Sequence, residues 1–180
     1  MRAPVRSCLL LLASALSVTP LLAASPAKDS PWRKETVKGL FTATVPAGWT
    51  RREFQYVTEP GTAFTDGLSR ISAELHGEKT SRYPSETEFL KQMENLGGGL
   101  KSAGKVKAAG RECPRFRKRR RLRHREDGED STEFIYEEYV LVRVPRGFWL
   151  LKFSHASPMY DSKPDGLEAW GRFLATFRPL

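Results

Sequence analysis

The chain has 180 residues, with 30 Lys and Arg against 21 Asp and Glu, a formal net charge of +9 and a pI near 9.8. This length supplies one domain with a single sizeable core and excludes two full domains. After the first 24 residues, no segment approaches the roughly 20 apolar residues that cross a bilayer, which excludes a membrane-spanning segment in the mature chain.

The first residues have the order of a secretory signal peptide. Arg2 and Arg6 precede an apolar run, and small residues follow at Ala24 and Ala27. We predict a signal peptide over residues 1–24, with cleavage after Ala24 or Ala27 left open. The mature protein is then exported, periplasmic or extracellular, and its net charge falls to +7 because two arginines leave with the signal.

Cysteine usage limits the covalent options of the mature chain. Cys8 leaves with the signal peptide, so Cys113 has no second cysteine with which to close an internal disulfide. We interpret it as a small semi-buried residue, with intermolecular pairing as the alternative. The fold must therefore rely on its hydrophobic core.

The first part of the mature chain indicates short strands. Polar residues with two prolines predict a flexible linker over 25–38. Alternating apolar residues predict a strand at 41–45, a second short strand follows at 49–57, and a third runs over 69–75. Residues 59–67 (EPGTAFTDG) are interpreted as a loop.

A helix is predicted after Pro84. Ser85 and Glu88 stand at capping-box spacing, and the glycines at 97–99 end the run. Its apolar residues fall on one face, so we expect the helix to lie on a sheet; they are Phe89, Leu90, Met93 and Leu96.

The second half of the chain predicts an antiparallel pair and a closing helix. Residues 104–113 leave strand and coil open. Residues 131–144 carry apolar groups on both faces, which indicates an inner strand, and the short turn before 147–156 makes the next strand its antiparallel neighbour. A helical apolar stripe runs over about 164–177, and Pro179 prevents its extension.

The stretch RFRKRRRLRHREDGED at 115–130 joins a cationic block to an anionic one. Eight Arg and Lys lie within 115–125 and seven acids within 126–138. Asp127-Gly128 is a favoured pair for a type I′ turn, so we predict a charged β-hairpin rather than a free polybasic arm.

Two registers of this hairpin are open, and each gives three opposite-charge cross-strand pairs. The first pairs Arg125 with Asp130, Lys118 with Glu137 and Arg117 with Glu138, and places Phe116 opposite Tyr139. The second, slipped by one residue, pairs Arg123 with Glu133, Arg119 with Glu137 and Lys118 with Glu138. Such pairs contribute about 0.2–1 kcal/mol each, so they select register rather than supply the stability.

Cations in excess of these pairs predict a binding surface. We expect Arg117, Arg119, Arg121 and Arg123 to contact an anionic partner, either a protein or an envelope component, with peripheral membrane contact left open. Nucleic acid is disfavoured because the export signal places the protein away from it.

Catalytic and metal chemistry find little support. Ser154 and His155 are adjacent in a strand and point to opposite faces, no G-x-S-x-G elbow exists, and Cys113 lies in no cysteine-hydrolase signature. His76, His124 and His155 are scattered singly, without a second ligand at metal spacing. We expect no catalytic residues, no cofactor and no metal, and therefore not an enzyme.

Four segments together resemble the PsbP-like superfamily, in its bacterial exported form of the DcrB type. They are FTATVPAGW, YPSETEFLKQM, EYVLVRVPRGFWLLKFS and FLATFRP, and the similarity covers roughly 39–179. The resemblance implies an α+β fold, an α/β/α sandwich with a central antiparallel β-sheet, over a single domain at 39–180. It also implies a non-catalytic scaffold and brings no catalytic residues with it.

The function expected on these grounds is that of an exported, non-catalytic binding or assembly protein of the bacterial cell envelope, with a basic surface. The alternative is an envelope enzyme that acts on an anionic, phosphate-bearing substrate. Only the charge of the chain supports that alternative.

Overall fold

A computed structural model of the chain describes residues 31–54, 59–77, 81–96, 99–126, 129–157 and 166–180, and the side chains of these residues outside 122–132. The predicted signal peptide and the predicted turn at Asp127-Gly128 lie outside the described residues, so both stay predictions.

Strands dominate the described residues. In chain order the elements are β1 (Trp32–Val37), β2 (Phe41–Pro46), β3 (Thr50–Glu53), β4 (Gly61–Thr65), β5 (Ser69–His76), α1 (Glu86–Asn95), β6 (Lys101–Ala108), β7 (Arg111–Glu126), β8 (Glu129–Val144), β9 (Gly147–Ser157), α2 (Leu167–Thr176) and β10 (Arg178–Pro179).

Seven strands form one antiparallel sheet in the order β3-β4-β5-β9-β8-β7-β6. β8 lies between β9 and β7, which confirms the predicted inner strand. β8 and β9 are antiparallel neighbours, with Val144 opposite Gly147 at the turn, again as predicted. Apolar side chains on both faces of β8 are therefore explained by cover on both sides of the sheet.

A smaller sheet in the order β1-β2-β10 accounts for a difference from the predicted linker. Residues 32–37, predicted as part of a flexible linker over 25–38, form β1 and pair with β2 from Trp32↔Pro46 to Val37↔Phe41. An edge strand of this kind is held by its backbone ladder and shows little apolar alternation. Two of its side chains instead form an ion pair, with Arg33 Nε 2.6 Å from Glu35 Oε1.

The prediction of a loop over 59–67 was wrong for Gly61–Thr65, which forms β4. β4 lies between β3 and β5, and Phe64 is fully buried. Gly61 looked like a turn residue, but it is needed because a Cβ there would collide with the backbone oxygen of Ala73 on β5. The segment left open at 104–113 spans the end of β6, a turn and the start of β7, so the strand alternative holds.

Helix α1 covers one face of the large sheet. Ser85 Oγ accepts a hydrogen bond from the backbone N–H of Glu88 at 3.2 Å, which confirms the predicted cap. The helix buries Phe89 and Met93 in a cluster with apolar residues of β8 and β9. Those strand residues are Tyr139, Leu141, Phe148 and Leu150.

Helix α2 and the small sheet pack on the other face, where the larger core lies. Trp170 and Phe173 of α2 join Phe41 of β2 and Phe153 of β9, and the Trp170 ring stacks on Phe153 with centroids 6.1 Å apart. A sheet-dominated α+β fold is confirmed. The finer prediction of an α/β/α sandwich stays a prediction, because a second sheet shares this layer with the helix.

Within the described part of the chain, neither helix is long and apolar enough to span a bilayer.

Candidate functional site

The charged hairpin adopts the first of its two predicted registers. β7 and β8 pair with Arg117 opposite Glu138, Lys118 opposite Glu137 and Phe116 opposite Tyr139. The second register is excluded over these strands. A slip of one residue would exchange the two faces of β7 and move Phe116 away from the apolar cluster beneath α1, so core packing selects the register.

Glu138 is a buried carboxylate with its hydrogen-bonding capacity in use. Its side chain lies on the α2 face and is only 3% exposed. It accepts hydrogen bonds from Arg117 Nε at 2.9 Å, from the Tyr136 hydroxyl at 2.9 Å and from Trp170 Nε1 at 2.7 Å. Such a fully bonded charge is well placed to hold β7, β8 and α2 together.

Glu137, the adjacent residue, points to the opposite face and is equally buried. Its Oε1 lies 2.7 Å from Lys152 Nζ, and Arg120 donates to both of its oxygens at 3.2 Å. Burial raises the pKa of Glu137, but Lys152 and Arg120 outweigh burial, so the pKa lies below its ordinary value. Glu137 is therefore ionised at neutral pH and fixes two cations beside it.

The four predicted binding residues fall on odd positions of β7 and share the α2 face of the sheet by alternation. Arg117 contacts Glu138, and the guanidinium of Arg119 lies 4.5 Å from the centroid of the Phe134 ring. Arg121 is exposed, and the side chain of Arg123 lies outside the described residues. The structure thus brings the first three onto one face, and their role in binding stays a prediction.

On the other face, a pocket of about 330 Å³ opens between α1 and the sheet. Four of its lining residues are cations and two are acids: Arg82, Lys118, Arg120, Lys152, Glu74 and Glu137. Its remaining wall is aromatic or aliphatic and includes Tyr83, Phe89, Met93, Leu96, Tyr139 and Leu150.

Sequence reasoning missed this pocket, although a signal for it exists. Even positions of β7 share a face, which puts Lys118 beside Arg120. The short turn between β8 and β9 sets Lys152 opposite Tyr139, next to Glu137. The sequence-based hypothesis instead treated Lys118 as a partner of an acid and took the odd arginines as the binding set.

Lys118 is the least satisfied of these cations. It is 4% exposed, and no hydrogen bond or ion pair of its ammonium occurs within the described ranges, although Glu137 is its partner across the ladder. Among the described residues, the one fully buried side-chain nitrogen or oxygen without a hydrogen-bond partner is His76 Nε2, so the Lys118 ammonium is open to the pocket, where an anion can pair with it.

A buried serine-histidine contact was not predicted. Ser69 Oγ lies 2.9 Å from His155 Nδ1, while Ser154 points to the opposite face of β9, as expected. Ser69 is fully buried, and a Cβ on Gly166 would already come within 2.9 Å of its hydroxyl. Among the described residues, the packing leaves no room for a substrate at Ser69, so the pair is best explained as packing with a satisfied hydrogen bond.

Among the residues that the structure describes, no three His, Cys, Asp or Glu side chains are grouped so as to hold a metal ion.

Comparisons with known proteins do not show a family for this chain. No family model matches the chain, and no curated protein sequence matches it. Among solved structures, the chain is similar to LpqN, which is involved in cell envelope biogenesis of Mycobacterium tuberculosis, at 13% identity over 83% of this chain and 92% of that chain, with a TM-score of 0.40. So low an identity and TM-score say nothing about the role of this chain, and the PsbP-like resemblance stays a prediction.

Proposed function

We propose that the protein is an exported, non-catalytic binding or assembly protein of the bacterial cell envelope, built on a PsbP-like α/β/α scaffold, and that β7 holds its anionic partner. The observation that carries the proposal is the row of exposed arginines on one face of β7, Arg117, Arg119 and Arg121.

The spacing of this row suits a partner with several negative charges. Alternate residues of a strand lie about 6.6–6.8 Å apart, and the guanidinium group presents a planar fork that matches phosphate and carboxylate oxygens. Exposed ion pairs contribute only about 0–1 kcal/mol, so surface contacts that Arg119 and Arg121 make within the protein can be exchanged for contacts with a polyanion. Arg117 is half-exposed and keeps its Nε bond to the buried Glu138.

The test is retention of the purified chain on phosphatidylglycerol vesicles and on heparin. Changing Arg117, Arg119, Arg121 and Arg123 to Gln is expected to weaken retention at low salt. It should also flatten the salt dependence, because a variant that makes fewer contacts releases fewer counterions on binding. A second variant changes only Arg119, Arg121 and Arg123, so that Glu138 keeps its partner Arg117. Weak retention of this variant cannot then be attributed to loss of stability at Glu138.

A matched control removes the same charge elsewhere. Four exposed cations lie outside β7, and changing all of them to Gln lowers the net charge equally: Lys34, Lys38, Arg52 and Lys91. If retention falls by the same amount in both variants, the effect is due to net charge and not to a specific surface on β7. Unchanged retention of the β7 variant would remove the proposal.

The alternative is an envelope enzyme acting on a phosphate-bearing substrate, and its support remains the charge of the chain. A screen of generic phosphatase, esterase and glycosidase substrates tests it. Turnover that is abolished by His155→Ala or Cys113→Ala would reverse the ranking of the two functions.

A further inference from the structure

We propose that the pocket beneath α1 binds an amphipathic anion, a carboxylate or phosphate group that carries one short apolar chain. The headgroup contacts Lys118, and the chain lies against Phe89 and Met93 of α1 and Leu150 of β9.

The charges of the pocket favour an anion. Glu137 is already occupied by Lys152 and Arg120, which leaves its ladder partner Lys118 without a carboxylate. Arg82 adds a fourth cation at the wall, its guanidinium 5.3 Å from the centroid of the Tyr83 ring. The four cations outnumber the two acids of the lining, so a positive ligand would be repelled, and a neutral one would leave the Lys118 ammonium without an anion.

The opposite wall favours an apolar group on that anion. Phe89 is 1% exposed, Met93 is 7% and Leu150 is 5%, and all three belong to the apolar cluster beneath α1, so the wall is closely packed. Leu96 is 62% exposed and lies at the helix C-terminal end, where the wall meets solvent. A small inorganic anion would contact the cations and leave this wall uncovered.

Size limits the chain. Ligand pockets usually measure about 300–1,000 Å³, and this pocket is at the lower end of that range. One short alkyl or aryl group with its headgroup fits such a volume. A lipid with two full acyl chains does not fit inside it.

This site is independent of the proposed contact surface. Lys118 and the pocket lie on the α1 face of the sheet, whereas Arg117 and Arg121 lie on the α2 face. Each site can therefore be removed while the other is kept.

Isothermal titration calorimetry of the purified chain tests the proposal, with probes kept below their micelle-forming concentrations. The probes are decanoate, decyl phosphate, decyltrimethylammonium, decanol and inorganic phosphate. We expect saturable binding of decanoate or decyl phosphate at one site, with the tighter of the two identifying the headgroup. Binding of the other three is expected to be at least tenfold weaker.

Lys118→Met keeps the apolar stem and removes the charge. It is expected to weaken binding of the preferred anion at least tenfold, while Lys118→Arg keeps binding within a few fold. Arg121→Met is the matched control, because it removes one cation from the same strand on the opposite face. It should leave the affinity unchanged.

Four results would overturn the proposal: no binding of either anion, equal binding of decanol or decyltrimethylammonium, equal binding of inorganic phosphate and decyl phosphate, or an unchanged affinity in a folded Lys118→Met variant. Vesicle retention separates the two sites. The Lys118→Met variant should still be retained on vesicles, and the four-residue β7 variant should still bind the preferred anion. Failure of one proposal is thus distinguishable from failure of the other.

Discussion

The indole Nε1 of Trp170 donates a 2.7 Å hydrogen bond to Oε1 of Glu138 and so joins α2 to the charged hairpin. Both residues are buried, with Trp170 3% and Glu138 2% exposed. The core and the charged strands are therefore coupled through one polar contact in a largely apolar layer.

Trp170→Ala is expected to lower the free energy of unfolding by about 3–5 kcal/mol, because it empties a large aromatic core site. Trp170→Phe keeps a ring against Phe153 and removes only the donor to Glu138, so we expect a loss of about 1–3 kcal/mol. Urea unfolding followed by circular dichroism measures both. A loss below about 1 kcal/mol for the alanine variant would mean that α2 is not docked on the sheet.

The stability of the protein should depend on Glu137 in a defined pH window. Burial raises the pKa of Glu137, but Lys152 and Arg120 outweigh burial and bring the pKa below its ordinary value. The stabilisation is fully present above the unfolded-state pKa of about 4.3 and is lost as the pH falls through the lower folded-state pKa.

Glu137→Gln checks this sign. Unfolding free energies of the two proteins should differ by about 1–3 kcal/mol above the unfolded-state pKa of about 4.3, and should converge as the pH falls through the lower folded-state pKa of Glu137. Glu94→Gln, a change at an exposed residue of α1, serves as the control. A difference that stays constant from pH 7 to pH 3 would contradict ionisation of Glu137 as the source.

Cys113 is 2% exposed, and burial raises the pKa of its thiol. The thiolate is the reactive form, so the native protein should react slowly with Ellman's reagent and react fully once unfolded in urea. We also expect a single monomer band on a non-reducing gel after air oxidation. A disulfide-linked dimer would support the intermolecular alternative for this residue.

Gly147→Ala should destabilise the fold by about 1–3 kcal/mol. Gly147 has a φ of +140°, and a Cβ there would collide with the backbone oxygen of His76. Gly171→Ala is the control, because Gly171 lies in α2 with open space around it and alanine favours a helix by about 0.8–1 kcal/mol. Thermal unfolding should move in opposite directions for the two variants.

Local patterns predicted the elements whose side chains repeat. The cap at Ser85, the alternation from Phe41 and the two-faced apolar residues of β8 each reflect a period that the chain itself carries. β1 and β4 were missed because neighbouring strands stabilise them, and their own sequences carry no clear apolar alternation. β1 is stabilised mainly by backbone pairing with β2, and Gly61 of β4 serves a close approach to β5.

The candidate pocket was missed for a different reason. Strand alternation tells which cations of β7 share a face, but it does not tell which face α1 covers. It also cannot tell that Lys152, two strands away, takes the carboxylate of Glu137 that lies opposite Lys118. Whether a given cation has an acidic partner depends on how the strands pack, and the number of cations in the sequence does not reveal it.

The far end of the hairpin extends past the strand that borders it. Among the described strands, β6 pairs with β7 only between Arg111 and Arg117, so the outer backbone edge of β7 beyond that point is not covered by β6. Another copy that docked here would bring arginine against arginine, and this repulsion opposes fibril-like growth along the edge. Added salt screens the repulsion, so the tendency of the protein to self-associate should increase with ionic strength.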